Sequence, residues 1–264
     1  TAGDQVVVRT WPNATVLHVL RCPRHVRNLS FDSTGDFLFA GVDGCMIRWK
    51  TSSLAAVDTT ELEARRSEID GNADTVVELE LTKASDVAFL NMAEGRAYEF
   101  NPTSSQLTTG TPLSAEWADW FVAAKPDGSV YAFAGKHSDL VRAFRRDDQS
   151  EVFRYELPNG TAARIDFSPT GHQLLLCARN ELQVFDTETW KIAATIPLRN
   201  AGYARAAWSP DGRLLAAHDG EEILLLETDH WTPLARFQNP YGESYSKAGP
   251  EAVLGLTFSP DQRY

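Results

Sequence analysis

Apolar residues in this chain fall in short runs cut by turn signals, and one stretch shows the pattern most plainly. From position 163 it reads Ala-Arg-Ile-Asp-Phe, then Ser168-Pro169-Thr170-Gly171. A run of Gln-Leu-Leu-Leu-Cys-Ala follows, then Arg179-Asn180-Glu181, Leu-Gln-Val-Phe185-Asp186-Thr187, and Trp190-Lys191-Ile192-Ala193-Ala194-Thr195-Ile196. Four apolar runs are thus separated by three breaks. Pro169 and Gly171 rule out a continuous helix and suit a tight reversal. Runs this short, rich in Leu, Val, Ile and Phe, read as strands. The unit is therefore a four-stranded antiparallel meander, strands a to d.

The unit recurs. Residues 204–237 repeat it through Ser209-Pro210-Asp211-Gly212, Asp219-Gly220 and Leu226-Glu227-Thr228. Upstream copies carry Lys125-Pro126-Asp127-Gly128 and Asp32-Ser33-Thr34-Gly35, and a weaker one carries Lys83-Ala84-Ser85. From Gly35 to Ser85, Gly128, Gly171, Gly212 and Gln262 the steps are 50, 43, 43, 41 and 50 residues. Four strands in about 40–45 residues is the repeat of a propeller blade. The predicted fold class is all-β, a β-propeller of four-stranded antiparallel blades forming a single domain over 1–264. Full blades span about 26–57, 76–113, 120–157, 163–198 and 204–237, with part-blades at 1–22 and 252–264. The part-blades are complementary, which gives six repeats. Two accounts fit: the ends meet in a six-bladed ring, or the chain is an excerpt of a longer one with seven or more blades.

The two long steps each contain an insertion between strand d of one blade and strand a of the next. In residues 58–75, Thr60-Glu61-Leu62-Glu63 has the form of a helix capping box and Asp70-Gly71-Asn72 a stop, so a short helix or ordered loop is expected. Residues 238–250 contain Asn239-Pro240-Tyr241-Gly242 and read as an exposed loop.

In its Ser-Pro-Asp-Gly turns, in an Asp before strand c (Asp4, Asp43, Asp219) and in an aromatic ending strand c (Trp11, Trp49, Phe100, Phe144, Phe185), the chain resembles the WD-repeat β-propeller family. The resemblance covers nearly the whole chain and is to a divergent, bacterial kind. The family's Gly-His pair before strand a is missing: Cys22, Pro158, Arg199 and Gly249 stand there. Its Trp-Asp dipeptide survives only as Phe185-Asp186. The resemblance implies an incomplete His–Ser–Asp–Trp network and a rigid disc that presents loops to protein partners. The function expected is a non-catalytic protein–protein interaction scaffold, a module of a larger signalling or assembly protein. The alternative is a propeller enzyme with a channel-centred metal site, of lactonase or sugar-dehydrogenase type. The implied roles of Asp4, Asp43 and Asp219 are structural, ordering the turns that precede strand c.

Composition narrows the partner. The formal charge is −11 and no Lys/Arg cluster exceeds Arg65-Arg66 or Arg145-Arg146, so no nucleic-acid surface is expected. No apolar run approaches the roughly 20 residues of a membrane span, and no signal segment opens the chain. Three cysteines, Cys22, Cys45 and Cys177, read as small buried hydrophobes, without a disulfide framework. These features point to a cytoplasmic protein.

Catalytic chemistry is sparse. The six histidines, His18, His25, His137, His172, His218 and His230, form no close pair suited to a metal. There is no Gly-x-Ser-x-Gly elbow and no phosphate-cradling loop. His218-Asp219 and His137-Ser138-Asp139 look like triad fragments, but in register they are turns between strands b and c. No catalytic residue, metal or cofactor is assigned.

The informative positions lie at the start of strand a, the innermost strand. Arg164 and Arg205 stand there, beside Arg27, Trp120 and Tyr203. A buried arginine needs a counter-charge, and Asp166 or Asp219 would supply it. The other reading has these five residues at one rim, meeting a protein partner or a neighbouring domain of the same chain through Arg, Trp and Tyr.

Overall fold

The computed structural model describes residues 5–9, 16–22, 26–31, 35–42, 45–53, 55–61, 76–81, 88–92, 97–101, 106–109, 120–135, 139–157, 164–178, 181–198, 206–218, 222–238 and 258. Every regular element among them is a β-strand. The chain divides into two compact units, residues 1–122 and 123–264.

The first unit opens with a two-stranded sheet, β1 (Gln5–Arg9) and β2 (Val16–Arg21). A four-stranded meander follows: β3 (Val26–Phe31), β4 (Phe37–Val42), β5 (Cys45–Lys50) and β6 (Ala55–Glu61). A second meander comprises β7 (Val76–Leu81), β8 (Ala88–Met92), β9 (Ala97–Asn101) and β10 (Gln106–Thr109). These two meanders meet through their first strands, with β7 packed against both β3 and β4. Val6, Leu20, Cys22, Leu38, Ala40, Ile47 and Trp49 form a core between the first two sheets.

Three meanders make up the second unit. They are β11 (Trp120–Ala124), β12 (Val130–Gly135), β13 (Leu140–Arg145) and β14 (Glu151–Glu156); β15 (Arg164–Phe167), β16 (Gln173–Ala178), β17 (Glu181–Asp186) and β18 (Ile192–Pro197); and β19 (Ala206–Trp208), β20 (Leu214–His218), β21 (Glu222–Glu227) and β22 (Pro233–Gln238). β11 spans the boundary between the units.

Burial explains the hydrophobic pattern. In β16, Leu174 through Ala178 are all buried, because sheets cover both faces of a second strand. A strand covered on both sides loses its period-two alternation and reads as a continuous apolar run. One face carries Leu175 and Cys177 into a core shared with Ala206, Trp208, Leu215, Ala217, Leu224 and Leu226 of the next sheet. On the other face of the sheet, Phe185 of β17, opposite Leu174, meets Phe153 and Tyr155 of the preceding sheet, at 5.0 Å between ring centroids in each case. Fourth strands are mostly exposed, β22 entirely apart from partial cover of Ala235.

One expectation is corrected. Thr60 and Glu61, read as the first residues of a helix, instead close β6, paired with Met46 and Cys45. The ladder with β5 satisfies their backbone groups, and that tertiary pairing overrides the local capping signal. Residues 62–75 lie outside the described residues, as do the Lys83-Ala84-Ser85 turn and the 239–250 insertion. Cys22 and Cys177 are buried, as small hydrophobes should be.

Candidate functional site at the start of the first strands

Each sheet of the second unit has two ends. At one end the first strand turns into the second and the third into the fourth. Among the described residues, repeated local hydrogen bonds order these turns. The N–H groups of Gly128, Gly171 and Gly212 donate to the carbonyls of Lys125, Ser168 and Ser209, each at 2.8 Å. These glycines hold φ of 71°, 75° and 74°, a left-handed conformation that costs other residues roughly 1–2 kcal/mol. Within the same turns, Ser209 Oγ accepts from Leu214 N–H at 2.8 Å, and Asp211 Oδ1 accepts from Arg213 N–H at 3.0 Å.

A hydroxyl ties this turn to its neighbour. Thr187 Oγ1 donates to the Gly171 carbonyl at 2.7 Å and Thr228 Oγ1 to the Gly212 carbonyl at 2.8 Å. In the first unit Thr51 Oγ1 donates to the Gly35 carbonyl at 2.7 Å. The threonine always follows its glycine by 16 residues. Arg146 takes the equivalent place in the β11–β14 sheet, where its backbone N–H donates to the Ser129 carbonyl at 2.9 Å.

Carboxylates organise the turn from third to fourth strand. Asp186 Oδ1 accepts from the Thr189 N–H and hydroxyl, both at 2.7 Å, and these bonds hold its pKa below the ordinary value. Asp148 Oδ1 accepts from the hydroxyl and N–H of Ser150, with the same effect. In Glu227, desolvation is outweighed by bonds from the N–H groups of His230, Thr232 and Asp229, and the pKa falls. A register shift then precedes a residue in left-handed geometry: Gln149 (φ 60°), Trp190 (55°) and Trp231 (59°). That geometry sends Trp190 onto Phe153 of the preceding sheet, stacked with centroids 4.7 Å apart. Trp231 meets Trp208 edge-on at 5.9 Å.

At the other end the chain passes from second to third strand and from the fourth strand to the next sheet. Arg164 begins β15 there, half-buried. Ile165 and Phe167 point into the core while Arg164 and Asp166 share the opposite face, across the ladder from Cys177 and Leu175. That face turns towards the sheet of β19–β22. Asp166 retains partial exposure as a residue, yet protein surrounds its carboxyl. Burial pushes its pKa up to about 6, against the pull of the Arg164 charge and of a backbone bond from Phe167. Asp166, one of the two acids expected to answer Arg164, stands beside it, while Asp219 lies outside the described residues.

The remaining expected residues are placed in part. Arg27 lies in β3 and Trp120 opens β11, as first-strand residues, with side chains outside the described residues. Tyr203, Arg205, Asp4, Asp43 and Asp219 also lie outside them. Among the described residues no three His, Cys, Asp or Glu side chains are grouped so as to hold a metal ion. The threonine ties and the tryptophans at positive φ had not been expected from sequence. The ties were legible as a Gly–Thr spacing of 16 in three repeats; a positive φ at tryptophan has no sequence signal.

The arrangement is that of a β-propeller. A component of a crystal structure of the mitotic checkpoint complex is similar over 99% of this chain and 79% of its own, with a TM-score of 0.77 at 16% identity. A chain of Kuenenia stuttgartiensis hydrazine synthase is similar over 98% of this chain and 85% of its own, with a TM-score of 0.75 at 12% identity. At such identities the likeness is one of fold alone. No family model matches the sequence, and no curated protein sequence matches it either.

Proposed function

We propose that this chain is a propeller of the WD-repeat kind, of a divergent bacterial type, acting as a non-catalytic protein–protein interaction scaffold. In this reading it is a cytoplasmic module of a larger signalling or assembly protein. Its partner, another protein or a neighbouring domain of the same chain, docks at the start of the first strands, on Arg27, Trp120, Arg164, Tyr203 and Arg205. The observation that carries the reading is Arg164, which begins the inner strand β15 at the end of the sheet opposite the glycine turns, with Asp166 on the same face beside it. Variable chemistry on a rigid frame is where recognition concentrates. The similar propeller in the mitotic checkpoint complex is itself part of a protein assembly, which supports the reading.

The test begins with a partner captured from the source organism. Replacing Arg164, Arg205 and Trp120 with Ala is expected to weaken capture at least tenfold, a loss of about 1.4 kcal/mol. Replacing Arg213 and His172, on the turn end, is expected to leave it unchanged. Loss only in the second set, with both proteins folded, would put the partner on the opposite end. Stoichiometric bound metal in the purified protein, together with turnover of a lactone or sugar substrate, would replace the scaffold reading with the enzyme one.

A further inference from the structure

We propose that Asp166 is a proton-operated gate on Arg164: the partner docks through the carboxylates of an acidic segment, and an ionised Asp166 holds that segment off. The inference rests on the docking site proposed above and adds the partner chemistry and its control. Arg164 and Asp166 alternate with the buried Ile165 and Phe167, so both stand on one face of β15. Arg164 opens the strand, half-buried, and Asp166 follows two residues on, about 7 Å further along the strand. A ligand that comes in from this end of the sheet meets the guanidinium first and the carboxyl behind it.

A guanidinium stays charged at every relevant pH, and its planar fork matches a carboxylate. The groups around the pair are few. From β16, Cys177 stands opposite Arg164 and Leu175 opposite Asp166. β12, packed against β15, carries no formal charge, and its one titratable side chain, Tyr131, is bonded to Gln149. On the facing sheet, Ala206 and Trp208 of β19 enter the shared core. Glu222 alternates with Leu224 and Leu226 of that core, and it is bonded to Arg236 and Gln238 at 3.1 and 2.8 Å. Arg205 and Asp219, next to β19 and β20 in sequence, lie outside the described residues. Among the described residues, Asp166 is thus the acid set beside Arg164.

The two protonation states of Asp166 act differently on an incoming anion. Ionised, it cancels part of the Arg164 field and repels a carboxylate; protonated, it does neither. Burial pushes its pKa up to about 6, against the pull of Arg164, so the change falls just below neutral pH. Docking therefore tightens as pH falls through about 6. The overall charge of −11 disfavours an acidic ligand over most of the surface, and the local potential at the arginine selects where it lands.

A fluorescently labelled oligo-aspartate peptide serves as the probe, with its affinity for the full chain measured at about pH 5.5 and about pH 7.5, where its carboxylates stay ionised. At constant ionic strength the wild type should bind at least about fivefold more tightly at the lower pH. Asp166→Asn should lose most of that dependence and bind at the higher pH about as tightly as the wild type does at the lower. A general effect of falling net charge would act on both proteins alike. Arg164→Gln should lose binding at both. By reciprocity, saturating peptide should raise the titration midpoint of the Asp166 carboxyl followed by NMR in the wild type, a readout that needs no variant. Absence of binding, equal pH dependence in the wild type and Asp166→Asn, an unshifted Asp166 titration, or binding indifferent to Arg164→Gln would each overturn the gate. Partner capture that still needs Arg164, Arg205 and Trp120 would then leave the docking site standing without it.

Discussion

Three threonines place the same hydroxyl on the same carbonyl, and this gives a direct measure of what one tie contributes. Thr187→Val keeps the shape of the side chain and removes the bond to Gly171. A loss of about 1 kcal/mol is expected, read as a lower urea midpoint with an unchanged slope. Thr228→Val should behave alike, whereas Arg146 offers no hydroxyl to lose. The turn glycines allow a finer comparison. Gly35 and Gly171 share nearly the same φ, 76° and 75°, but a Cβ on Gly35 meets open space while one on Gly171 comes within 2.9 Å of Lys125 Cε. Both alanine variants bear the backbone cost, roughly 1 kcal/mol or more. Gly171→Ala must also displace the flexible end of Lys125, so it should be the less stable of the two by chemical denaturation. Equal losses would show that Lys125 moves aside freely.

At the scale of strands and sheets, the sequence was most readable where burial and turns repeat. The turns that contain Gly35, Gly128, Gly171 and Gly212 marked passages from first to second strand, and aromatic residues marked the end of the third strand at Trp49, Phe144 and Phe185. Thr60-Glu61 misled because a capping box is a purely local signal, while their pairing with β5 is a contact between strands. Trp190 was readable only as a fourth-strand aromatic. Its left-handed backbone lies in the turn before β18, and its ring stacks on another sheet. That stack couples neighbouring sheets. A double-mutant cycle on Phe153 and Trp190, with each changed to Leu, should give a coupling of about 0.5–1.5 kcal/mol. A coupling near zero would mean that the rings contribute only by filling space.

For the molecule as a whole, Asp166 links fold stability to pH. Its carboxyl has a pKa of about 6 in the folded chain, against roughly 3.9 when unfolded. The native state therefore holds the proton more tightly. The stabilisation from the neutral acid is complete below the unfolded value and is lost as pH rises through about 6. Thermal midpoints of the wild type should carry a component that falls between about pH 4 and pH 6, and Asp166→Asn should remove that component. A midpoint that rises over this window because of Asp166 would reverse the sign and place the carboxyl in a stabilising ion pair. The sequence indicated an acid near Arg164 but could not choose between Asp166 and Asp219, because alternation along a strand fixes a face and not a distance.

The threonine ties also bear on how such a chain can lengthen. Each one fastens the first turn of a sheet to its third, 16 residues later, so the spacing within a sheet is measured by a bond. The two long steps in the repeat, by contrast, fall at the passages from one sheet to the next. For a designer wishing to graft a loop or a reporter peptide, the joints between sheets are the permissive sites. The interval from turn glycine to threonine is the one to leave untouched.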